Sequence, residues 1–354
     1  MNMARPDRQC EKVISYINSA IKQNVFPPGS KLPAEEALAK KLSVSRVTVR
    51  SAFKTLQDSG IINKEFHKGA FVSRTKPKEA KKIIPFISQY NNATNSRFFE
   101  LFNGIQDSVT PLDLYPLLTI SGYDSNKERE IITDFFDQGY RYMMIMSGFS
   151  DRNIELYHTL MQRGVNFVFL DKKPTSLACD YVTCDNFQGG YEAARHLLKL
   201  GHKKIAVYIT QSASSASTIT DRINGFSLAL KENGLYRPEL FIDWSEKPAE
   251  EFADKLTVQH PDVTAVFCTA DIYAIPLASY IKKNKLNISV VGFDDLKESE
   301  SNTPGLTTVR QPFYNLGFEA GKLISDRILY PDRPFISYTI PIKLIERESS
   351  FILK

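Results

Sequence analysis

Several things are scarce in these 354 residues, and each scarcity excludes something. The four cysteines, Cys10, Cys179, Cys184 and Cys268, show no C-x-x-C spacing, and the five histidines are scattered. That pattern indicates neither a zinc cluster nor a disulfide framework, so no metal or cofactor is expected. No apolar run approaches the roughly 20 residues needed to cross a bilayer. The opening MNMARPDRQC lacks the apolar stretch of a signal peptide, so the expectation is a cytoplasmic chain with no membrane attachment. A G-x-S-x-G elbow, an H-E-x-x-H pair and a phosphate loop are also missing, and no enzyme is expected.

What is present is ordinary globular composition, 42% hydrophobic and 24% charged, with length for two or three domains. Charge is unevenly distributed. Residues 1–76 hold 14 Lys and Arg against 6 Asp and Glu, a net +8, whereas the remainder is net −3. A small basic module on a mildly acidic body points to a polyanionic partner for the first part alone.

Within the basic module, SVSRVTVRSAFKTLQDSG places Val49, Ala52, Phe53 and Leu56 at offsets 0, 3, 4 and 7, one face of a helix. Arg46, Arg50 and Lys54 follow at intervals of four on another face and point outward. Upstream, Val13, Ile14, Ile17 and Ile21 mark a first helix and AEEALAKKL a second. Ser45 is placed to cap the third, Gly60 suits the left-handed residue beyond it, and IINKEFHKGAFVS reads as two short strands. Three helices and a hairpin make a winged helix-turn-helix.

The stretch PPGSKLPAEEALAKKLSVSRVTVRSAFKTLQDSGIINKEFHKGAFVS resembles the winged helix of the GntR family of bacterial regulators, over about residues 8–73. The resemblance implies that Ser45, Arg46, Thr48 and Arg50 sit at double-stranded operator DNA. An Arg fork can hold guanine or a phosphate in two hydrogen bonds. Lys54, Lys64 and Lys68 suit phosphate contacts. Two positions depart from the family pattern: Glu36 stands where many members have Arg, and His67 replaces the first glycine of the wing tip, leaving Gly69. For His67, a DNA contact and an idle turn residue are equally open.

SRTKPKEAKK, polar and without an apolar face, reads as a linker at 74–82 between a domain at 1–73 and another at 83–354. Beyond it, short apolar runs (IIPFIS, YPLLTI, YMMIMS, NFVFL, KIAVYI, TAVFC, ISVVGF) alternate with helical stretches, which means doubly wound parallel sheets, too many units for one lobe. Ligands of such sheets bind beyond the carboxyl ends of the strands. Ser147, Gly148, Asp171, Asp271 and Asp294 stand there, each carboxylate either a ligand group or a helix cap.

Residues 83–348 resemble the effector domain of LacI-type repressors, an α/β two-lobed periplasmic-binding-protein-like fold. The motifs that carry this are FLDKK, VTCDNFQGGYEAARHLLKLGHKKIAVY, DRINGFSLALKENG, AVFCTADIYA, ISVVGFDD and LTTVRQPFYNLGFEAGKLI. The resemblance implies a sugar site using Asp171, Arg222, Asp294 and Gln311, with Phe313 nearby and Trp244 as stacking wall; Asp271 is a further candidate. Phe98, Tyr123 and Phe149 are either cleft contacts or core. Ala270 stands where the family commonly has Asn, which leaves the sugar's identity open.

The architecture also resembles that of bacterial arabinose repressors. It implies a homodimer that binds a near-palindromic operator and is released by a monosaccharide. Three alternatives stay open: a sugar-dependent activator, an enzyme of carbohydrate or pyridoxal phosphate type fused to the reader, and a sugar-binding module with a vestigial head.

Overall fold

The computed structural model describes residues 5–23, 25–58, 61–65, 69–73, 82–90, 97–209, 217–244, 248–301 and 303–353. The chain divides into compact units at Met1–Lys82 and Ile83–Lys354. Among the described residues, no helix is long and apolar enough to cross a membrane.

The first unit contains α1 (Arg5–Lys22), α2 (Glu35–Leu42), α3 (Arg46–Asp58), β1 (Ile62–Glu65) and β2 (Gly69–Val72). Val49, Ala52, Phe53 and Leu56 are buried with Val13, Ile17 and Leu38, so the apolar stripe of α3 packs against α1 and α2 as the periodicity requires. Ser43 ends α2 in the left-handed region at φ 54°, and its N–H closes on Ala39 and Lys40 carbonyls. Ser45 then caps α3, its hydroxyl accepting from Thr48 N at 3.0 Å. β1 and β2 pair antiparallel, Ile62 opposite Val72 and Glu65 opposite Gly69, and Lys31 adds a bridge to Phe71. His67, Lys68 and Gly60 lie outside the described residues.

The second unit has two lobes. In the amino-terminal lobe, β3 (Ile83–Ser88), α4 (Phe98–Val109), β4 (Tyr115–Ile120), α5 (Ser125–Asp137), β5 (Tyr142–Met146), α6 (Ile154–Gln162), β6 (Asn166–Leu170) and β7 (Asp180–Cys184) follow in turn. The chain then enters the carboxyl-terminal lobe through α7 (Asn186–Lys199), β8 (Ile205–Ile209), α8 (Ser217–Glu232), β9 (Phe241–Asp243), α9 (Ala249–Gln259), β10 (Ala265–Cys268), α10 (Asp271–Lys283), β11 (Ser289–Asp294), α11 (Lys297–Ser301) and β12 (Thr307–Arg310). It returns with α12 (Phe313–Leu329) and β13 (Ser337–Ile340), and crosses once more to β14 (Lys343–Ile345).

The first lobe's sheet has the order β13-β7-β6-β5-β3-β4, all parallel; the second has β14-β12-β11-β10-β8-β9, parallel except for β14. Strands this apolar must be covered on both faces. Phe86, Met144 and Val168 pack under α4 and α12, while Ile87, Ile145 and Phe169 pack under α5 and α6. In the other lobe Val207, Phe267 and Val291 face α7 and α8, and Tyr208, Val266 and Val290 face α9 and α10. Three chain crossings join the lobes, at 184–186, 310–313 and 340–343, and Asp185 N bonds Ile340 O at 2.9 Å, tying two of them together.

Candidate functional site

Two regions carry unusual chemistry, one in each unit. On α3, Arg46 and Arg50 keep 60% and 65% of their side chains exposed, and Lys54 is exposed on the same face. Their anionic neighbours come from α2. Glu35 accepts Arg50 Nε at 3.2 Å and Lys64 Nζ at 3.0 Å, and Glu36 stands 3.9 Å from Arg46. Burial opposes ionisation of Glu35, but the bonds from Lys64 and Arg50 outweigh it and lower its pKa. A surface pair of this kind contributes about 0–1 kcal/mol, so a phosphate can compete for either cation. Glu36, the position that departs from the family pattern, thus adds a negative neighbour to Arg46. Thr48 is half-buried and bonds Ser45 at 2.8 Å, and Gly69 opens β2 at φ 110°.

The second region lies in the body, where strand ends of the two lobes converge. Asp171, directly after β6, is buried and held at φ 66°; its carbonyl accepts the hydroxyls of Tyr181 at 2.7 Å and Thr183 at 3.1 Å. Asp294, the last residue of β11, has φ 124°. Non-glycine residues in this region are strained, and such strain concentrates at binding sites.

Arg222 pairs with the second of these carboxylates, Asp294. It bonds Asn186 Oδ1 at 2.9 Å and Thr269 O at 2.7 Å, lies 3.4 Å from Asp294 Oδ1, and its guanidinium sits 3.7 Å from the Phe293 ring centre. The close approach of two helices places it: a Cβ on Gly190 of α7 would come within 1.9 Å of Arg222 O on α8. Gln311, following β12, donates to Asp294 Oδ1 at 2.6 Å. Burial raises the Asp294 pKa to about 7 against the pull of Arg222. Burial lowers that of Lys172, which feels Asp171, Arg222 and Asp294 together.

The opposite wall is aromatic. Tyr90 and Tyr123 meet edge to face at 5.9 Å, and Tyr123 meets Phe149 at 6.5 Å. Burial raises the Tyr90 pKa, with further contributions from Tyr123, Asp171 and Asp294, so this wall and the acidic group share one cleft. Gln89 precedes Tyr90; a Cβ on Gly148 would meet its Oε1 at 2.7 Å. Gln89, Tyr90, Lys172 and Asn186 escaped the residue-by-residue reading, although Gln89 and Lys172 obey the same strand-end rule that picked out Asp171.

Four buried polar atoms of this group have no hydrogen-bond partner: both amide atoms of Gln89, Asp171 Oδ1 and Gln311 Oε1. Leaving a buried polar group unpaired costs about 1–3 kcal/mol. Their convergence is what a hydroxyl-rich ligand would satisfy.

Three expected members of the site are elsewhere. Trp244 is 6% exposed in the core beneath α9, its indole N–H bound to Pro248 O at 3.1 Å and its ring edge-on to Phe252 at 5.8 Å. It borders a cavity of about 250 Å³ with Phe241, Lys255 and His260 that contains none of the cleft residues. The three-residue edge strand β9 turns this ring toward α9 and makes it packing. Asp271 is fully buried, with Oδ1 accepting Thr308 at 2.7 Å and Oδ2 accepting Leu296 N at 3.1 Å and Ser299 at 2.7 Å. Its carboxylate anchors the turn after β11. Phe313 is buried in the first lobe's core with Phe98 and Phe86, where α12 begins.

Comparison with known proteins agrees with this division. Residues 9–72 match the gntR family of bacterial regulatory proteins, and residues 194–350 match a periplasmic binding protein-like domain. The arabinose metabolism transcriptional repressor of Geobacillus stearothermophilus is 27% identical over 336 residues, 90% of this chain and 89% of that protein. The repressor PurR of Vibrio atlanticus is 27% identical over 73% of this chain and 78% of its own length. Among solved structures, a LacI family regulator from Enterococcus faecium with bound ribose superposes with a TM-score of 0.66 at 26% identity, covering 77% of this chain and all of that one. A CelR–cellobiose complex gives 0.67 at 20% identity, covering 90% and 100%, which bears on fold alone. The chain thus joins a winged helix-turn-helix that matches the gntR family to a two-lobed α/β body similar to those of LacI family regulators.

Proposed function

We propose that this protein is a sugar-responsive transcriptional repressor, a homodimer whose α3 helices enter successive major grooves of a near-palindromic operator and which a monosaccharide releases. The observation that carries the effector assignment is the set of unpaired buried atoms on Gln89, Asp171 and Gln311 around the Arg222–Asp294 pair. Amides, carboxylates and a guanidinium can grip vicinal hydroxyls in pairs, and the Tyr90–Tyr123–Phe149 wall suits the C–H face of a pyranose or furanose ring. The reader assignment is supported by the exposed row Arg46, Arg50 and Lys54 and by the match to the gntR family.

Both lobes contribute groups, so a ligand binds them together best when the cleft is closed. That differential contact supplies the coupling to the heads. A coupling of about 3 kcal/mol changes operator affinity roughly 150-fold. The arabinose repressor and ribose-bound regulator among the relatives favour an aldopentose. A thermal-shift screen of pentoses, hexoses and deoxyhexoses tests this, because a ligand of the folded state raises the melting temperature by mass action. An aldopentose shift of several degrees supports the proposal, and a flat response to every aldose refutes it.

A further inference from the structure

One corner of the cleft is held by charges that no sugar would touch. Asp295 follows the cleft carboxylate Asp294, is completely buried, and has φ 56°. Its own lobe holds it from two sides: Arg347 reaches Oδ1 at 2.7 Å and Arg310 bonds Oδ2. Leu296 N is fixed by Asp271, so the turn 294–296 is clamped residue by residue. From the opposite lobe comes Arg97, immediately before α4. It donates to Asp295 Oδ2 at 3.2 Å and to the Asp295 carbonyl, and bonds Glu300 of α11 at 3.2 Å. Glu100, one turn further along α4, orients the same guanidinium at 2.9 Å. The Arg97 side chain is 13% exposed and that of Asp295 0%, so solvent screens the pair little.

The geometry points to Arg97 as a positioning residue that latches the two lobes and sets how long an effector stays in the cleft. On the β11–β12 pair, where Asp294 lies opposite Arg310, Asp294 and Gln311 line the cleft while the adjoining Asp295 and Arg310 form the latch. Effector contact and lobe closure therefore share one strained dipeptide, Asp294–Asp295. Arg97 meets the cleft turn at Asp295. A contact made in the closed state slows opening and release while leaving entry into the open cleft unaffected. This inference rests on the cleft being the effector site, but the latch itself can be tested without any effector.

The test uses the full chain with Cys10→Ser and spin labels at His158→Cys on α6 and Val258→Cys on α9, positions that are exposed in opposite lobes. Pulsed dipolar spectroscopy then reads the interlobe distance without ligand. In Arg97→Gln the distribution is expected to lengthen and broaden, and Arg97→Lys, which keeps the charge but not the fork, should fall between. Stopped-flow measurements with L-arabinose and D-ribose form the second arm. For whichever binds the wild type, Arg97→Gln should release it about tenfold faster with the association rate unchanged, within the 5- to 150-fold range usual for coupled sites. A variant that was merely misfolded would lower the fraction of active sites, not the release rate. Superimposable distance distributions for wild type and Arg97→Gln overturn the latch. Binding of neither sugar to the wild type counts against the effector assignment, and the distance measurement still decides the latch.

Discussion

Gln311 Nε2 and Arg222 approach the same oxygen, Oδ1 of Asp294, at 2.6 and 3.4 Å. The Gln311 amide is thereby oriented with its carbonyl oxygen unpaired. Arg222→Ala removes the cation from a buried carboxylate and leaves Asn186 Oδ1 without its donor. Effector affinity should fall by at least about 2 kcal/mol, as for other truncated buried pairs. Calorimetry measures that loss, and operator binding without effector should persist.

The raised pKa of Asp294 predicts a pH-dependent stability. Burial lifts its folded value to about 7, above the roughly 3.9 of an unfolded Asp. Between those values the native state binds more protons than the unfolded chain, so this group's contribution to stability declines as pH rises from about 4 to about 7. Asp294→Asn should remove the decline. The variant's melting temperature relative to wild type is expected to be higher at pH 8 than at pH 5.

Gly190→Ala tests how Arg222 is placed. A methyl 1.9 Å from Arg222 O forces α7 and α8 apart, an overpacking cost of about 1–3 kcal/mol. Denaturant unfolding should show that loss, accompanied by weakened effector binding.

Trp244→Ala separates packing from stacking. Since the indole is buried under α9, its truncation should cost about 3–5 kcal/mol of stability. Effector affinity of the fraction that remains folded should change little. A large affinity loss at unchanged melting temperature would restore Trp244 to the cleft.

In the head, Arg50→Ala should cost about 1–3 kcal/mol and relax sequence preference if its fork holds a base, whereas Lys54→Ala should weaken all sequences alike and reduce the salt slope by about 1. Fluorescence anisotropy across a salt series distinguishes the two.

Much of this was legible in the sequence, for physical reasons. Period 3.6 exposes α3, since Val49, Ala52, Phe53 and Leu56 must share a face. Buried parallel strands write themselves as apolar runs, and IIPFIS and NFVFL coincide with β3 and β6, while the half-exposed edge strand β4 coincides with YPLLTI. The residue after such a run faces the cleft, which locates Asp171 and Gln89 alike. Other features depend on register and distance. The three-residue β9 gives no pattern to say which way Trp244 turns, and Asp271 is claimed by Leu296, Ser299 and Thr308, 25 to 37 positions away. Arg97 and Asp295 are 198 residues apart, and nothing local announces their meeting.

The central claim is that occupancy of the cleft alters operator binding. Its most direct test titrates one preparation of the full chain onto its own upstream operator DNA by anisotropy, with and without an aldopentose that calorimetry shows to saturate the cleft. The account predicts that saturation weakens operator binding at least about fivefold, the lower end of usual allosteric coupling. Identical operator affinity in the two titrations would contradict it.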